Sequence, residues 1–236
     1  MNSVQKIYET IGAEFLISAE EIVKKHTEIK AFIFDWDGVF NTGEKLGSGS
    51  SSFTEIDSMG TNMLRFSYYL QNKQNPITAI ISGERNESAF YFSEREHFNS
   101  SYFKVLHKKI AIDHFCKTNN LKPNQICYFF DDVLDLDVAR EVGLRILVSR
   151  KATVLFTNYI KKNKLADYIT ANESGNFAVR EACEMLMGVT NMFDEALARR
   201  TDYDAVYQQF ILERNMPITQ FYTLKSEEII NADNKI

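Results

Sequence analysis

Two hydrophobic patterns alternate along most of this chain. Short runs of consecutive apolar residues predict buried strands over 31–34, 77–81, 102–106, 125–130, 144–148 and 168–170. Apolar residues at three- and four-residue spacing predict helices over 58–73, 85–94, 108–119, 135–142, 152–163 and 176–187. Because the strands are continuously apolar and alternate with helices, the pattern is typical of a mostly parallel sheet covered by helices on both faces.

The two ends of the chain have a different character. Residues 3–28 predict helices, and Ser18 followed by Glu21 resembles a capping box that opens a second short helix. Beyond residue 188, spaced apolar positions predict further helices before a polar end. We therefore expect an N-terminal helical extension (1–29), a main α/β domain (30–187) and a C-terminal helical extension (188–236).

A turn-rich stretch follows the first strand of the main domain. Residues 41–52 are rich in glycine, serine and threonine, which predicts a small hairpin flap.

Composition narrows the class of protein. The chain has 236 residues, 44% of them hydrophobic and 25% charged, which excludes global disorder. Its net charge of -5 argues against a nucleic-acid partner, which usually needs a basic surface. We expect no secretion signal and no membrane partner, because no apolar run of about 18 residues occurs. The 3 cysteines form no CxxC pair and cannot all be joined in disulfides, which favours a reduced, cytoplasmic location.

Polar side chains follow three of the predicted strands. Asp35 and Asp37 come after the first, Ser82 after the second, and Asp131 and Asp132 after the fourth. Any one of them alone is more often a turn or cap residue. Ligands bind at the carboxyl ends of parallel strands, and four carboxylates gathered there need a cation or a proton between them. Oxygen ligands without histidine or cysteine suit Mg²⁺.

These segments resemble, in order, the four motifs of the haloacid dehalogenase (HAD) superfamily. Residues 34–39 (FDWDGV) resemble the first motif, 80–83 (IISG) the second and 130–135 (FDDVLD) the fourth. Lys109 fits the third motif. It is preferred to Lys108 because it directly precedes an Ile-Ala pair.

Within the superfamily, the chain resembles the 3-deoxy-manno-octulosonate 8-phosphate phosphatase type. Residues 57–60 (DSMG) and 178–181 (AVRE) are similar to that subgroup's sequences. The chain departs from the pattern at Phe130, where glycine is usual, and at Glu84, where arginine is usual. Arg85 comes one position later, so the identity of the substrate stays open.

The resemblance implies a role for each matched residue. Asp35 is the expected nucleophile, and Asp37 the acid and base that serves the leaving group and the water. The expected Mg²⁺ ligands are Asp35, Asp37 through its backbone carbonyl, and Asp131, with Asp132 and Asp135 behind them. The groups expected to hold the substrate and its phosphate are Ser82, Gly83, Lys109 and Arg85.

The motif spacing leaves no room for a cap domain. About 45 residues separate Asp37 from Ser82, and the flap and a helix take most of them, whereas a folded domain needs at least about 50. The resemblance then implies a HAD-like Rossmannoid three-layer sandwich with an open site, covered by neighbouring subunits of a tetramer. We expect a homo-oligomer with the 41–52 flap at a subunit interface.

The leading hypothesis is a Mg²⁺-dependent phosphomonoesterase that acts through an aspartyl-phosphate on a small-molecule sugar-acid phosphate. An octulosonate 8-phosphate or a nonulosonate 9-phosphate fits the resemblance. One alternative is the same chemistry on another sugar phosphate, a nucleotide or a phosphoprotein. Another is a non-catalytic HAD-fold binding or regulatory protein, and the complete motif set argues against it.

Overall fold

The computed structural model describes residues 2–45 and 51–232, and within these ranges one mixed sheet forms the centre of the molecule. The sheet order is β1-β7-β6-β5-β2-β3-β4-β8-β9. Strands from β7 to β8 in that order run parallel, and β1 and β9 are antiparallel at the two edges. The strands are β1 Glu14–Phe15, β2 Ala31–Phe34, β3 Ile77–Ile81, β4 Ser100–Phe103, β5 Ile126–Phe130, β6 Leu144–Ser149, β7 Tyr168–Glu173, β8 Gln220–Lys225 and β9 Glu228–Asn231.

Helices cover both faces of this sheet. They are α1 Ser3–Thr10, α2 Ala19–His26, α3 Glu55–Asn72, α4 Glu87–Arg95, α5 Lys108–Asn119, α6 Leu136–Ala139, α7 Val154–Asn163, α8 Ala178–Val189, α9 Phe193–Asp202 and α10 Ala205–Arg214. Helices α3, α4 and α8 pack on one face together with the helices of both flanks, and α5, α6 and α7 pack on the other. None of the helices in the described ranges combines the length and the apolar character that a membrane crossing requires.

Strand β2 shows why the parallel strands are continuously apolar. Phe32 and Phe34 point into the core on the α3–α8 face, and Ala31 and Ile33 point into the core on the α5–α7 face. Successive side chains of a strand alternate between faces, so a strand covered on both sides needs apolar residues throughout. The predicted three-layer α/β sandwich is confirmed.

The N-terminal flank is only partly helical. Helix α1 ends at Thr10, Gly12 takes a φ of +100°, and β1 pairs with β7 through Glu14–Ile169 and Phe15–Tyr168. The helical prediction was therefore wrong for residues 14–15. The capping box of α2 is confirmed, because the Ser18 hydroxyl accepts from the Glu21 backbone N–H while Glu21 accepts from the Ser18 backbone N–H.

The C-terminal flank contains helices α9 and α10, in the region where helices were predicted, and also two strands that were not predicted. Strand β8 pairs in parallel with β4, for example Ser101 with Phe221, and β9 folds back on β8. Strand β4 lies about 120 residues before β8 in the chain. No local sequence pattern could therefore predict that the two strands pair. Both flanks thus add strands to the central sheet, and the division of the chain into three regions stays a prediction.

Two further predictions about local structure need correction or restriction. The helix predicted over 135–142 is shortened to α6. At Gly143 the chain passes close to Asn124, because a Cβ on Gly143 would lie 2.0 Å from the backbone oxygen of Asn124. Residues 46–50 of the predicted 41–52 flap lie outside the described residues. The described neighbours, 41–45 and 51–54, form no paired strand beyond a single bridge between Asp37 and Asn41.

Burial of His26 generates a prediction about stability. The ring is buried against Phe32 and Tyr68, with centroids 6.1 Å and 6.4 Å away, and burial lowers the pKa of His26 to about 4. Between pH 6.5 and pH 4 the unfolded chain therefore binds a proton that the folded protein does not. We expect this residue to cost about 3 kcal/mol of unfolding free energy as the pH falls from 7 to 4.

The His26→Phe variant should lose that share of the pH dependence in denaturant titrations, and the variant of an exposed histidine, His107→Gln, should keep it. Parallel pH profiles for His26→Phe and the unaltered protein would contradict the assignment.

Candidate active site

The carboxyl ends of β2, β3 and β5 meet at one edge of the sheet and open into a cleft of about 460 Å³. Asp35 directly follows β2, Ser82 follows β3 and Asp131 follows β5, and all three residues are buried at the floor of this cleft. Main-chain hydrogen bonds continue the sheet to these positions, since the Asp35 N–H donates to Phe129 and the Ser82 N–H to Tyr102, both at 2.9 Å.

Three buried carboxylates form a cluster in the floor of the cleft. Single oxygens of Asp35, Asp131 and Asp135 lie within 4.8 Å of one another. Asp135 was expected behind the metal ligands, and the structure places it against the same lysine as Asp35. The Tyr128 hydroxyl also donates to Asp135.

The lysine of the site is Lys108, which corrects the choice of Lys109. The Lys108 ammonium is 2% exposed and lies 2.7 Å from Asp35 Oδ1 and 2.6 Å from Asp135 Oδ1. The Lys109 ammonium points away from the cleft and binds Asp113 at 2.8 Å and Glu141 at 3.0 Å.

Helical periodicity contains the signal that separates the two lysines. Lys108 stands three, four and seven residues before Ala111, Ile112 and Phe115, which form the buried face of α5. Residues at these spacings share one face of a helix. A polar residue on the core side of a helix that starts at the cleft is therefore the one that reaches the site.

Asp37 lies at the more open side of the cleft, with its side chain 22% exposed. Its carboxylate accepts hydrogen bonds from Lys45 and from the Ser51 hydroxyl. Buried Asn86 donates to the Ser51 hydroxyl at 3.0 Å and caps α4 by accepting from the Ser88 N–H. Lys45, Ser51 and Asn86 were not singled out from the sequence, because loop residues far apart in the chain carry no local signal of meeting.

Gly38 explains why the first motif needs a glycine. Its φ is +88°, and a Cβ there would lie 2.1 Å from Asp131 Oδ2. Any other residue would be strained and would also displace a carboxylate of the cluster.

Arg150 is a further cleft residue that the sequence reasoning missed. It follows β6, the neighbour of β5, and donates through Nη2 to Asp131 Oδ2. Its Nη1 lies 3.5 Å from Asp132 Oδ2. The strand-end rule that selected Ser82 and Asp131 applies equally to β6, so the order of strands in the sheet was the missing information.

Of the residues predicted to hold the substrate, Ser82 and Gly83 line the cleft and Arg85 does not. The cleft is lined by Ser82, Gly83 and Glu84, and the Ser82 hydroxyl accepts from the Glu84 N–H at 3.2 Å. Arg85 does not line the cleft, because its guanidinium binds Glu87 at 2.8 Å and lies over the Phe90 ring. The expectation that Arg85 contacts the substrate is not supported by its position.

The electrostatics of the cluster suit a cation. Burial raises the pKa of Asp35 to about 6 although the Lys108 ammonium opposes the shift. Burial, followed by the carboxylates of Asp35 and Asp135, raises the pKa of Asp131 to about 9. A divalent cation between Asp35 and Asp131 would relieve this repulsion, and a set of carboxylate oxygens is the type of site that Mg²⁺ prefers.

Sequence comparison finds several relatives that share one name. No family model matches the chain. The 3-deoxy-D-manno-octulosonate 8-phosphate phosphatase of Yersinia pestis is 25% identical over 173 residues, which cover 72% of this chain and 85% of the relative. The enzyme of the same name from Escherichia coli (strain B / BL21-DE3) is 26% identical over 202 residues, 82% of this chain and 94% of the relative.

Solved structures agree with the sequence relatives. The 3-deoxy-D-manno-octulosonate 8-phosphate phosphatase of Moraxella catarrhalis, solved with magnesium, phosphate and the sugar acid, is 26% identical, with a TM-score of 0.63 over 77% of this chain and 98% of that one. A HAD superfamily (subfamily III A) hydrolase from Legionella pneumophila is 27% identical, with a TM-score of 0.62 over 78% of this chain and 95% of that one.

The raised pKa of Asp131 predicts that Mg²⁺ binding displaces a proton. Because burial and the carboxylates of Asp35 and Asp135 raise the pKa of Asp131, and because a metal ligand must be ionised, we expect release of up to about one proton per ion bound and an affinity that rises with pH. Calorimetry in buffers of different ionisation enthalpy measures this number.

The Asp131→Asn variant should lose Mg²⁺ binding without losing thermal stability in the absence of metal, because asparagine keeps the size of the side chain and removes an acid group that lies against Asp35 and Asp135. Binding heats that do not depend on the buffer, or Mg²⁺ binding by Asp131→Asn, would refute the assignment of Asp131.

Proposed function

We propose that this chain, which resembles the HAD-type 3-deoxy-D-manno-octulosonate 8-phosphate phosphatases in sequence and in fold, is a Mg²⁺-dependent phosphomonoesterase that acts on a sugar-acid phosphate through an aspartyl-phosphate. Octulosonate 8-phosphates and nonulosonate 9-phosphates are the substrates we favour. The observation that carries the proposal is the position of Asp35, at the floor of an open cleft, held by buried Lys108 beside a second carboxylate, Asp131.

In the first step, the carboxylate oxygen of Asp35 that Lys108 does not bind attacks phosphorus. Lys108 donates to Oδ1 of Asp35, which leaves Oδ2 as the attacking atom. The bond between phosphorus and the sugar oxygen breaks, and Asp37 gives its proton to that oxygen as the alcohol leaves. The Ser82 hydroxyl and the Lys108 ammonium border the space in which the phosphoryl oxygens would lie.

In the second step, water replaces Asp35 on phosphorus. Asp37, now ionised, takes a proton from the water, and the acyl-phosphate bond breaks to return the Asp35 carboxylate and free phosphate. The hydrogen bonds from Lys45 and Ser51 hold Asp37 toward the cleft for both proton transfers. Asp35, the backbone carbonyl of Asp37, and Asp131 would hold Mg²⁺, which supplies positive charge to the transferring phosphoryl group.

With Mg²⁺ bound among its carboxylates, the cleft would suit a small anionic substrate. Its lining contains three basic side chains, Lys45, Lys108 and Arg150, and no described cap element lies between the motifs. Glu84 occupies the position where the resembled enzymes carry arginine, so other sugar phosphates, nucleotides and phosphoproteins remain alternative substrates. A panel of these phosphate esters, scored by kcat/KM, decides between them.

We also propose that the protein works in the cytoplasm as a homo-oligomer, with a tetramer favoured. The three cysteines are buried and unpaired, as in a reducing compartment. Exposed Leu106, Val133 and Leu134 form an apolar rim beside the cleft, and we propose that a second subunit covers them.

One aspartate variant and two matched lysine variants test the catalytic assignment. Asp35→Asn removes the nucleophile, so hydrolysis of p-nitrophenyl phosphate with Mg²⁺ should fall to background. Lys108→Met should lower kcat/KM by about 10³-fold or more, since it removes a buried charge that contacts the nucleophile.

Lys109→Met, which removes an equal charge one residue away, should stay within about threefold of the unaltered protein. Equal losses in the two lysine variants, or turnover by Asp35→Asn, would be incompatible with these roles.

Light scattering tests the oligomer. The double variant Leu106→Ser/Val133→Ser should lower the molar mass of the assembly by weakening apolar burial, whereas Leu212→Ser, at another exposed leucine, should not. A monomeric unaltered protein with full activity would contradict the proposed assembly.

A further inference from the structure

Each carboxylate of the acidic cluster already has a positively charged partner within the protein. Asp35 and Asp135 share the Lys108 ammonium, and Asp131 binds the Arg150 guanidinium. Three ionised carboxylates with these two cations have a net charge of -1. A Mg²⁺ ion added without any rearrangement would leave the cluster positive, which opposes binding until a substrate phosphate arrives.

The two partners differ in how freely they can leave. Lys108 is 2% exposed and makes short ion pairs with two carboxylates, so removing it would strand a buried charge. Arg150 is 28% exposed, and it reaches the cluster from the end of β6. Its other ion-pair partner, Asp132, is 48% exposed and lies farther from the cluster.

The contact made by Arg150 is at the atom that matters for the metal. Its Nη2 donates to Asp131 Oδ2, the oxygen that points toward the Gly38 backbone. A Cβ placed on Gly38 would lie 2.5 Å from Arg150 Nη2 and 2.1 Å from Asp131 Oδ2, so the guanidinium and the carboxylate meet beside this glycine. The guanidinium therefore occupies part of the space around the carboxylate that the proposed ion needs.

We propose that Arg150 is a resident cation that competes with Mg²⁺ for Asp131 and thereby sets the metal affinity of the site. This inference rests on the proposed function only in taking Asp131 as a Mg²⁺ ligand. Arg150 is a positioning residue in this account, because it acts on the metal through Asp131. When Mg²⁺ binds, the guanidinium gives up Asp131 Oδ2 and keeps its neighbour Asp132.

In the metal-free protein, Arg150 compensates part of the negative charge of the carboxylate cluster. Without Arg150 or a metal ion, buried Asp131 would lie beside Asp35 and Asp135, whose two negative charges the single Lys108 ammonium compensates only in part. With Arg150 in place, the site stays folded and charge-compensated until Mg²⁺ exchanges for the guanidinium. The cost is a weaker affinity for the free ion than the carboxylates alone would provide.

The test is the affinity for Mg²⁺ alone, measured by calorimetry at pH 8.5, where a proton competes less for Asp131. Arg150→Met and Arg150→Gln should each bind Mg²⁺ about tenfold or more tightly than the unaltered protein. Even at the dielectric of bulk water, a unit charge about 6 Å from a divalent ion changes its affinity by about that factor. Arg150→Lys, which keeps the charge, should stay closer to the unaltered protein.

Lys151→Met is the matched control, because it removes the same charge from the next residue, which is exposed and does not line the cleft. Its Mg²⁺ affinity should be unchanged, and thermal unfolding without metal should show that all four variants are folded. Weaker binding by Arg150→Met would overturn the proposal in favour of Arg150 orienting Asp131, and unchanged binding would overturn it as well. Because no turnover is measured, a failure here is distinct from a failure of the phosphatase assignment.

Discussion

The buried ion pair between Lys108 and two carboxylates is the interaction on which the site depends. An ammonium that is 2% exposed holds Asp35 and Asp135 at 2.7 Å and 2.6 Å. Burial disfavours a charged lysine, but the carboxylates of Asp135 and Asp35 outweigh this effect and raise the pKa of Lys108 above its usual range. The lysine thus stays charged, fixes the orientation of the Asp35 carboxylate and offsets part of the repulsion among the acids.

The central sheet supplies the positions that this ion pair joins. Asp35 and Asp131 leave adjacent parallel strands, β2 and β5, while Lys108 is the first residue of α5, which follows β4. Apolar contacts on both faces hold these elements in place, so the charged groups need no flexible loop to bring them together. The more exposed groups, Lys45 and Arg150, come from loops at the rim of the same cleft. They add positive charge beside the buried carboxylates, whose positions the sheet fixes.

The parts that could be predicted from the sequence are those with a local physical signal. The strand of residues 31–34 and the aspartate that follows it, Asp35, could be predicted directly, since a fully apolar run followed by acidic residues has few other interpretations. The pairing of β8 with β4 and the contact of Arg150 with Asp131 depend on residues far apart in the chain, and no local pattern encodes them. Lys108 lies between these cases. The helical periodicity of α5 indicates Lys108, which lies on the buried face of the helix. Lys109 was predicted instead because it directly precedes an Ile-Ala pair.

The central claim is that Asp35 carries the phosphoryl group during turnover. The most direct measurement is acid quenching of the Asp37→Asn variant with a radiolabelled phosphate ester and Mg²⁺, followed by peptide mapping. Because this variant lacks the base that activates water, the account predicts that label accumulates on the peptide containing Asp35 and is absent when Asp35 is also replaced by Asn. Label on another peptide, or turnover without any labelled peptide, would contradict it.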